Sequence, residues 1–388
     1  MQKCIRVLIM VSLLISVFPI SVLGQEKGDL VESSKSAILL EKNSGMTLYE
    51  KDASVELPPA SMTKIMTLLL IMEELEKESI KMDEMIRISE HAASMGGSQI
   101  FLEAGEEMSV EDLLKGIAVA SGNDASVAMA ERIAGTEKAF VEMMNKKVKE
   151  LGLKHTHFEN PTGLPADGHY STAHDMAVMA RELLLHDEVT KFTTIYDDYL
   201  RKGQENEFWL VNTNKLIKTY PGMDGLKTGF TREAMYCLTA SAKREDLHMI
   251  AVVMGAETPK ERNADVTSLL DYGFSQYEGV KLHSKDDQLA TLRSTRGEPL
   301  NVALSPEKDV VVLKKKNEKK GEYETSVEVR NTADLPIEKG KHMGWVKVTR
   351  DGQEVAKVRL ETSEKVKRAS FAKLWERSWR NLTSFQRF

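Results

Sequence analysis

Apolar and polar residues recur along the chain with two different periods. Residues 36–49 alternate around an Asn43-Ser44-Gly45 turn, which predicts a β-hairpin. Apolar positions at helical spacing then predict amphipathic helices over residues 61–75, 109–120, 123–133, 137–151 and 173–185. Strand patterns return over 236–242 and 249–254, and the second contains an unbroken apolar run typical of a strand buried on both faces. The pattern therefore predicts a mixed α/β domain.

The pattern of apolar and polar residues changes at about residue 278. Short alternating segments separated by polar turns follow, over residues 288–292, 309–313, 323–329 and 345–349. Asp351-Gly352 then stands between two alternating runs, and both residues tolerate the positive φ that a tight hairpin turn requires. We therefore predict a first domain over residues 25–277 and a small β-rich domain over 278–362.

The last segment, residues 363–388, has a charge and an apolar pattern of its own. From Glu364 onward it carries seven basic and two acidic residues, on a chain whose formal net charge is −6. At helical spacing its large apolar residues share one face, with Trp379 at the edge: Phe371, Leu374, Trp375, Leu382 and Phe385. An aromatic face opposite a basic face is typical of a helix lying on an anionic membrane surface. The alternative is a helix that packs this stripe against its own domain.

The first 24 residues have the features of an export signal. Lys3 and Arg6 precede an apolar run over residues 7–23, and Val22 and Gly24 stand where a small-x-small cleavage site would be. Serines and a proline interrupt this short run, which favours a cleaved signal over a retained transmembrane helix. Cleavage removes two basic residues and changes the formal net charge from −6 to −8, which argues against a nucleic acid partner.

Metal and cofactor chemistry finds little support in the sequence. Four histidines are close together along the chain: His155, His157, His169 and His174. No metal-ligand motif accompanies them, so we expect structural histidines and no metal. We also expect no cofactor, because the sequence has no glycine-rich phosphate loop. Cys4 lies in the predicted signal, which leaves Cys237 as a single thiol that we expect to be buried and inert.

Three short motifs carry the candidate chemistry. Ser61 and Lys64 follow a proline pair that can open a helix, and their spacing of three places both side chains on one face. A serine nucleophile needs a base, and a helix N-terminus with a second cation nearby can lower the pKa of a lysine toward neutrality. Ser121-Gly122-Asn123 begins 60 residues after Ser61, and Lys227-Thr228-Gly229 begins a further 106 residues on. This order and spacing fit one active site.

The three motifs match the S-x-x-K, S-D-N and K-T-G signature of penicillin-binding proteins and class A β-lactamases, with S-G-N in place of S-D-N. This variant, with residues 160–164, 169–173 and 224–231, resembles the D-alanyl-D-alanine carboxypeptidases among the low-molecular-mass penicillin-binding proteins. Residues 60–70 and 90–101 resemble, more closely, the sporulation-associated carboxypeptidases of Gram-positive spore formers. The resemblance implies an α/β (α+β) fold: a β-lactamase/transpeptidase-like serine peptidase domain, a C-terminal β-rich stem domain and an amphipathic anchor helix.

The resemblance also implies catalytic roles. Ser61 would attack the carbonyl of the penultimate D-alanine, and Lys64 would take the hydroxyl proton as general base. Ser121 would relay a proton to the departing D-alanine. The backbone N–H groups of Ser61 and Phe230 would form an oxyanion hole, whose fixed donors stabilise charge in the transition state.

The substrate-binding residues implied by the resemblance come from two of the motifs. They are Asn123, Lys227, Thr228, Gly229 and, through its backbone, Phe230. Lys227 and Thr228, on an edge strand, would face the terminal carboxylate of the peptide, which makes the site specific for a free C-terminus. The family commonly has a further basic residue before K-T-G. An ungapped comparison places Asn212 there, with Lys215 and Lys218 as possible substitutes.

The expected function is a serine D-alanyl-D-alanine carboxypeptidase, exported and attached peripherally to the outer face of the cytoplasmic membrane. Its expected partners are peptidoglycan stem peptides, β-lactam antibiotics and an anionic membrane surface. A β-lactamase would need a glutamate for the deacylating water, and the nearest match, Glu182, lies in a strongly apolar helix pattern. A catalytically silent penicillin-binding wall sensor is the other alternative, and the intact motifs argue against it.

Overall fold

The computed structural model describes residues 30–318, 322–330 and 334–384, with the side chains of the last helix described as far as Trp379. The predicted export signal over residues 1–24 and the apolar tail position Phe385 lie outside the described residues. The structure confirms the predicted fold class: a mixed α/β domain is followed by a β-rich domain and a C-terminal helix.

An antiparallel sheet forms the centre of the first domain. The described strands of this domain are β1 (Ser36–Glu41), β2 (Thr47–Lys51), β3 (Met85–Arg87), β4 (Glu107–Ser109), β5 (Asp197–Leu200), β6 (Phe208–Val211), β7 (Met223–Thr231), β8 (Met235–Arg244) and β9 (Leu247–Ala256). Five of them form the central sheet in the order β2-β1-β9-β8-β7, while β3 pairs with β4 and β5 pairs with β6. Strand β7 is therefore at an edge of the central sheet.

Helices cover both faces of this sheet. The described helices of the domain are α1 (Lys64–Glu76), α2 (Glu90–Ala93), α3 (Val110–Ala120), α4 (Asn123–Ala134), α5 (Glu137–Glu150), α6 (Ala173–Leu183), α7 (Thr190–Thr193), α8 (Leu216–Thr219) and α9 (Pro259–Gln276). In β9, Ile250 and Val252 pack in the core that includes α1 and α6, whereas Ala251 and Val253 pack in the core that includes α9. Burial on both faces explains the unbroken apolar run that the sequence has there.

The predicted helices are present, with one informative shift at the first of them. Residues Ala60–Thr63 form a short 3-10 turn, and the α-helix begins only at Lys64. Ser109 caps α3 by accepting a hydrogen bond from the backbone N–H of Asp112. Helix α9 has no counterpart in the sequence analysis, although Thr258 caps it and Pro259 stands in its first turn.

The second domain is built from short strands. Those described are β10 (Tyr277–His283), β11 (Ala290–Arg293), β12 (Gly297–Glu298), β13 (Asn301–Pro306), β14 (Val310–Lys315), β15 (Glu324–Val329), β16 (His342–Arg350), β17 (Gln353–Thr362) and β18 (Lys367–Arg368). Five of them form a sheet in the order β11-β13-β17-β16-β15, and β10 pairs with β14. Asp351 (φ 51°) and Gly352 (φ 76°) turn the chain between β16 and β17, which confirms the predicted hairpin.

The C-terminal helix α10 (Phe371–Ser384) contacts the second domain through its basic side chains. Lys373 forms an ion pair of 2.6 Å with Glu298, and Arg377 donates hydrogen bonds to the carbonyl oxygens of Thr295 and Gly297. Its large aromatic residues are mostly exposed: Phe371 is 80%, Trp375 63% and Trp379 60% exposed. Among the described residues, no helix is both long and apolar enough to cross a membrane.

Candidate active site

Ser61 lies in the 3-10 turn before α1, and two neighbouring segments press against the backbone of this turn. Ala60 has a φ of 47°, in the left-handed region, which sets the direction in which the turn enters the helix. A Cβ at Gly163 would overlap the carbonyl oxygen of Ala60, and a Cβ at Gly229 would lie 2.7 Å from the carbonyl oxygen of Pro59. The two glycines therefore allow a loop and strand β7 to contact the turn that carries Ser61 directly.

Lys64 is fully buried, and its amine lies at the centre of the site. Its Nζ is 3.1 Å from Ser61 Oγ, 2.6 Å from Asn123 Oδ1 and 2.7 Å from the carbonyl oxygen of Thr162. Burial holds the pKa of Lys64 well below its ordinary value of 10.5, and the nearby charge of Lys227 lowers it further. Both effects favour the neutral form of this amine over that of an ordinary lysine.

The geometry shows which acceptors the two N–H bonds of a neutral Lys64 amine reach. The oxygens of Asn123 and Thr162 can only accept hydrogen bonds, so each takes one N–H from Lys64. The nitrogen lone pair is then left for Ser61 Oγ, the one partner of the three that can donate a proton. This arrangement is what a general base needs in order to deprotonate a serine hydroxyl.

The second motif follows α3 at a left-handed turn. Ser121 has a φ of 64° and ends the helix, and Asn123 begins α4. Asn123 is held from both ends, because its Nδ2 donates to the carbonyl oxygen of Gly96 while its Oδ1 accepts from Lys64. Ser121 Oγ is buried and has no hydrogen-bond partner within the described part of the chain. A buried hydroxyl without a protein partner can still form a hydrogen bond with water or with a bound substrate.

Two buried side chains that the sequence analysis missed support this arrangement. The carboxylate of Asp124 accepts hydrogen bonds from the backbone N–H groups of Ile100 and Leu102, and Arg201 donates to the carbonyl oxygen of Ile100. Together they fix the segment before α3 against α4. The only sign of the role of Asp124 in the sequence is its position directly after the S-G-N motif.

The loop that accepts a hydrogen bond from Lys64 is shaped by its own asparagine. Asn160 Oδ1 accepts from the backbone N–H groups of Thr162 and Gly163, and Thr67 on α1 donates to the carbonyl oxygen of Pro161. The loop residues that resemble the family thus have a clear structural task. They place the carbonyl oxygen of Thr162 on Lys64 and Gly163 against the turn of Ser61.

The third motif lies on edge strand β7. Lys227 is buried, donates to the carbonyl oxygen of Thr228 at 3.1 Å and has a pKa lowered to about 7, chiefly by burial and also by the charge of Arg262. Thr228 Oγ1 donates to Thr213 Oγ1 at 2.7 Å. Phe230 is half exposed and stacks on Tyr236, with 4.3 Å between ring centroids. The structure thus brings the third motif to the first one, with Gly229 in contact with the turn of Ser61.

Asn212, which the ungapped comparison places at the position of the family's basic residue, faces the interior of the protein. Its Nδ2 donates to the carbonyl oxygens of Thr193 and Ile195, and its Oδ1 accepts from the backbone N–H of Asn214, all inside the protein. Lys215 and Lys218 both lie over the ring of Tyr196, 5.6 and 4.9 Å from its centroid. From this segment, the side chain of Thr213 contacts Thr228 of the K-T-G motif.

The remaining candidates for chemistry have ordinary structural roles. His169 is buried between Thr63 Oγ1 and the backbone N–H of Glu159, and burial lowers its pKa to about 4. Within the described ranges no group of three or more His, Cys, Asp or Glu residues is arranged to hold a metal ion. Cys237 is buried, and burial raises the pKa of its thiol to about 11. Glu182 lies near the end of α6, close enough to Lys308 of the second domain to affect its pKa.

Two family models match the chain, one in each domain. Residues 25–258 match the model described as D-alanyl-D-alanine carboxypeptidase, and residues 277–368 match the C-terminal domain of penicillin-binding protein 5. The chain is 52% identical to the D-alanyl-D-alanine carboxypeptidase DacF of Bacillus subtilis over 94% of its own length and 93% of that protein.

Solved structures agree with these matches. Penicillin-binding protein 5 of Haemophilus influenzae superposes with a TM-score of 0.67 at 32% identity, covering 86% of this chain and 98% of that one. The ampicillin-bound form of penicillin-binding protein D2 from Listeria monocytogenes covers 62% of this chain and 97% of that one, at 31% identity and a TM-score of 0.57. The chain belongs to the D-alanyl-D-alanine carboxypeptidase family of serine peptidases.

Proposed function

We propose that this carboxypeptidase removes the terminal D-alanine from peptidoglycan pentapeptides through an acyl-enzyme at Ser61. The observation that carries the proposal is the buried amine of Lys64, whose Nζ lies 3.1 Å from Ser61 Oγ and has two further acceptors in Asn123 Oδ1 and the carbonyl oxygen of Thr162. Burial and the nearby charge of Lys227 lower the pKa of Lys64, which favours the neutral amine that a general base requires. Family membership and the matched relatives support the same reaction.

In the acylation step, Ser61 Oγ bonds to the carbonyl carbon of the penultimate D-alanine while its proton passes to Lys64. The negative charge that develops on the carbonyl oxygen is stabilised by the backbone N–H groups of Ser61 and Phe230. Collapse of the tetrahedral intermediate breaks the peptide bond, and the leaving nitrogen takes a proton through Ser121. The unpartnered, buried hydroxyl of Ser121 supports this relay. Water then hydrolyses the acyl-enzyme and regenerates Ser61.

The substrate is held on both sides of the bond that breaks. Asn123 holds the substrate amide, and its side chain is already fixed by Gly96 and Lys64. Lys227 and Thr228 bind the terminal carboxylate, and binding an anion favours the charged form of Lys227 despite its burial. The same contacts suit the carboxylate of penicillin, so we expect β-lactam antibiotics to acylate Ser61.

The test is release of free D-alanine from diacetyl-L-Lys-D-Ala-D-Ala, together with labelling by a fluorescent penicillin. Wild-type protein should do both, and Ser61→Ala should do neither. Ser275→Ala, which changes an exposed serine of α9, is the matched control and should keep both activities. Labelling at Ser61 without release would support the silent wall sensor instead, and rapid hydrolysis of the penicillin would support a β-lactamase.

We also propose that the protein is exported and attaches to the outer face of the cytoplasmic membrane through α10. The exposed stripe of Phe371, Trp375 and Trp379 supports this proposal, because the alternative of packing it on the protein's own domain would bury those rings. Lys373 and Arg377 hold the opposite face of the helix on the second domain, which keeps the aromatic rings directed outward.

Liposome pelleting tests the attachment. The mature chain should pellet with anionic vesicles, and a chain truncated before Glu364 should not. A Trp375→Glu/Trp379→Glu variant should also stay in solution, whereas Lys260→Glu, an exposed change in the peptidase domain, should pellet normally. Equal pelleting of the truncated and intact chains would refute the proposal. A role in sporulation stays a prediction from resemblance, and expression timing in the source organism tests it.

A further inference from the structure

The segment from Asn212 to Asn214 joins the two sides of the active site. The backbone N–H of Thr213 donates to the carbonyl oxygen of Val119, near the end of the helix that leads to Ser121. Asn214 Nδ2 donates to the carbonyl oxygen of Gly225, two residues before Lys227 on β7. Thr213 is therefore held between the second and third motifs, although no motif includes it.

The two asparagines determine the direction of the threonine between them. Asn212 and Asn214 are both buried, and each uses its side-chain amide for backbone groups inside the protein. The side chain of Thr213 is only partly buried and points toward strand β7, where its Oγ1 is 2.7 Å from Thr228 Oγ1. The segment thus presents one hydroxyl to the K-T-G strand.

Thr213 and Thr228 each carry one hydroxyl proton. The hydrogen bond between them uses one of these two protons, so the other remains to be donated. Within the described residues, neither hydroxyl forms a second hydrogen bond. A free hydroxyl proton next to a buried lysine suits a ligand with several acceptor atoms, and a carboxylate offers about four acceptor sites.

We infer that Thr213 is a specificity-determining residue, whose hydroxyl joins Thr228 and Lys227 in binding the terminal carboxylate of the substrate. This inference rests on the proposed function and deepens it. Thr213 supplies a neutral donor here, whereas Lys215 and Lys218 lie over Tyr196 instead. The carboxylate is then bound by one charged and two neutral donors.

The experiment compares penicillin G with its methyl ester, which lacks the carboxylate, as competitors of fluorescent penicillin labelling. Thr213→Val removes the hydroxyl and keeps the size of the side chain. We expect it to lower the preference for penicillin G over the ester by about 10- to 100-fold, the usual effect of a lost hydrogen bond to a charged group. For the peptide substrate, KM should rise by a similar factor with little change in kcat, because the contact is made before the reaction begins.

Two further variants separate this role from a structural one. Thr213→Ser keeps the hydroxyl and should keep the preference, while Thr219→Val, an exposed change in α8, should have no effect. If Thr213→Val does not fold, Thr213→Cys, a weak donor of similar size, should reduce the preference instead. An unchanged preference in the folded variant, or an equal loss in Thr213→Ser, would overturn the inference. A wild-type protein that is not labelled at Ser61 would instead refute the proposed function.

Discussion

Replacing Lys227 by methionine should make the protein more stable while removing its activity. Lys227 is buried, and its pKa is lowered from 10.5 to about 7. The unfolded chain keeps the ordinary pKa, so folding at pH 7 must either release a proton from this lysine or bury its charge. Methionine fills a similar space and carries no charge.

The pKa values give the size of the effect. Relative to a lysine with an ordinary pKa, Lys227 costs the folded state about 4 kcal/mol at pH 7 and about 2 kcal/mol at pH 9. Between pH 7 and 10.5 the unfolded state binds more protons than the folded state, so the free energy of unfolding of the wild type rises with pH. Losing the hydrogen bond to the carbonyl oxygen of Thr228 offsets about 1 kcal/mol. We therefore expect Lys227→Met to gain about 3 kcal/mol at pH 7 and about 1 kcal/mol at pH 9.

Calorimetric unfolding at the two pH values measures this gain. A gain of 3 kcal/mol corresponds to a rise of roughly 6–12 °C in the midpoint for a domain of this size. Lys260→Met changes an exposed lysine and should leave the midpoint unchanged at both pH values. A Lys227→Met protein with native circular dichroism but an unchanged or lower midpoint at pH 7 would refute the reasoning. So would a gain that does not shrink between pH 7 and pH 9.

Three further predictions concern the site and its surroundings. Gly163→Ala should lower penicillin acylation at least 100-fold, because its Cβ would overlap the carbonyl oxygen of Ala60. The control is Gly152→Ala, which is also at positive φ but in open space; it should cost only about 1 kcal/mol of stability and leave acylation unchanged. The pH profile of kcat/KM should fall on the acid side as Lys64 becomes protonated. It should also fall on the alkaline side, with a midpoint near pH 7, as Lys227 of the free enzyme loses its charge. A profile flat from pH 6 to 9 would contradict the role given to Lys227. Cys237 should react with a thiol reagent only after unfolding in urea, since it is buried with a raised pKa, and rapid labelling of the native protein would contradict its burial.

The meeting of Ser61 and Lys64 could be predicted from sequence because it does not depend on the kind of helix. The sequence indicates a helix from residue 61, whereas the structure has a 3-10 turn followed by an α-helix. A spacing of three residues places two side chains on the same side in either geometry. The order and spacing of the three motifs likewise indicate one site. They identify the residues that meet there, and this inference does not depend on the exact backbone conformation.

The side chains that hold the motifs in place could not be predicted in this way. Asn212 is the clearest case, because its distance along the chain from K-T-G fits a carboxylate-binding residue. Its direction is decided by the carbonyl oxygens of Thr193 and Ile195, which only the tertiary fold brings near it. Asp124 and Thr162 act on the site through such non-local contacts as well. Helix α9 is different, since Thr258 followed by Pro259 and Glu261 is a start signal that the sequence does contain.

Strand β7 is an open edge for only part of its length, and this has a consequence for the kind of peptide bond that the protein can cut. The first half of the edge is already occupied, because Thr193 donates to the carbonyl oxygen of Asp224 and Asn214 to that of Gly225. A peptide pairing antiparallel with the free half, from Lys227 onward, would run with its C-terminus toward this blocked end. A bound chain can pair with β7 only from Lys227 onward, because the carbonyl oxygens of Asp224 and Gly225 are already used. We therefore expect this edge to favour peptides that end near Lys227, whatever the charge on their last residue.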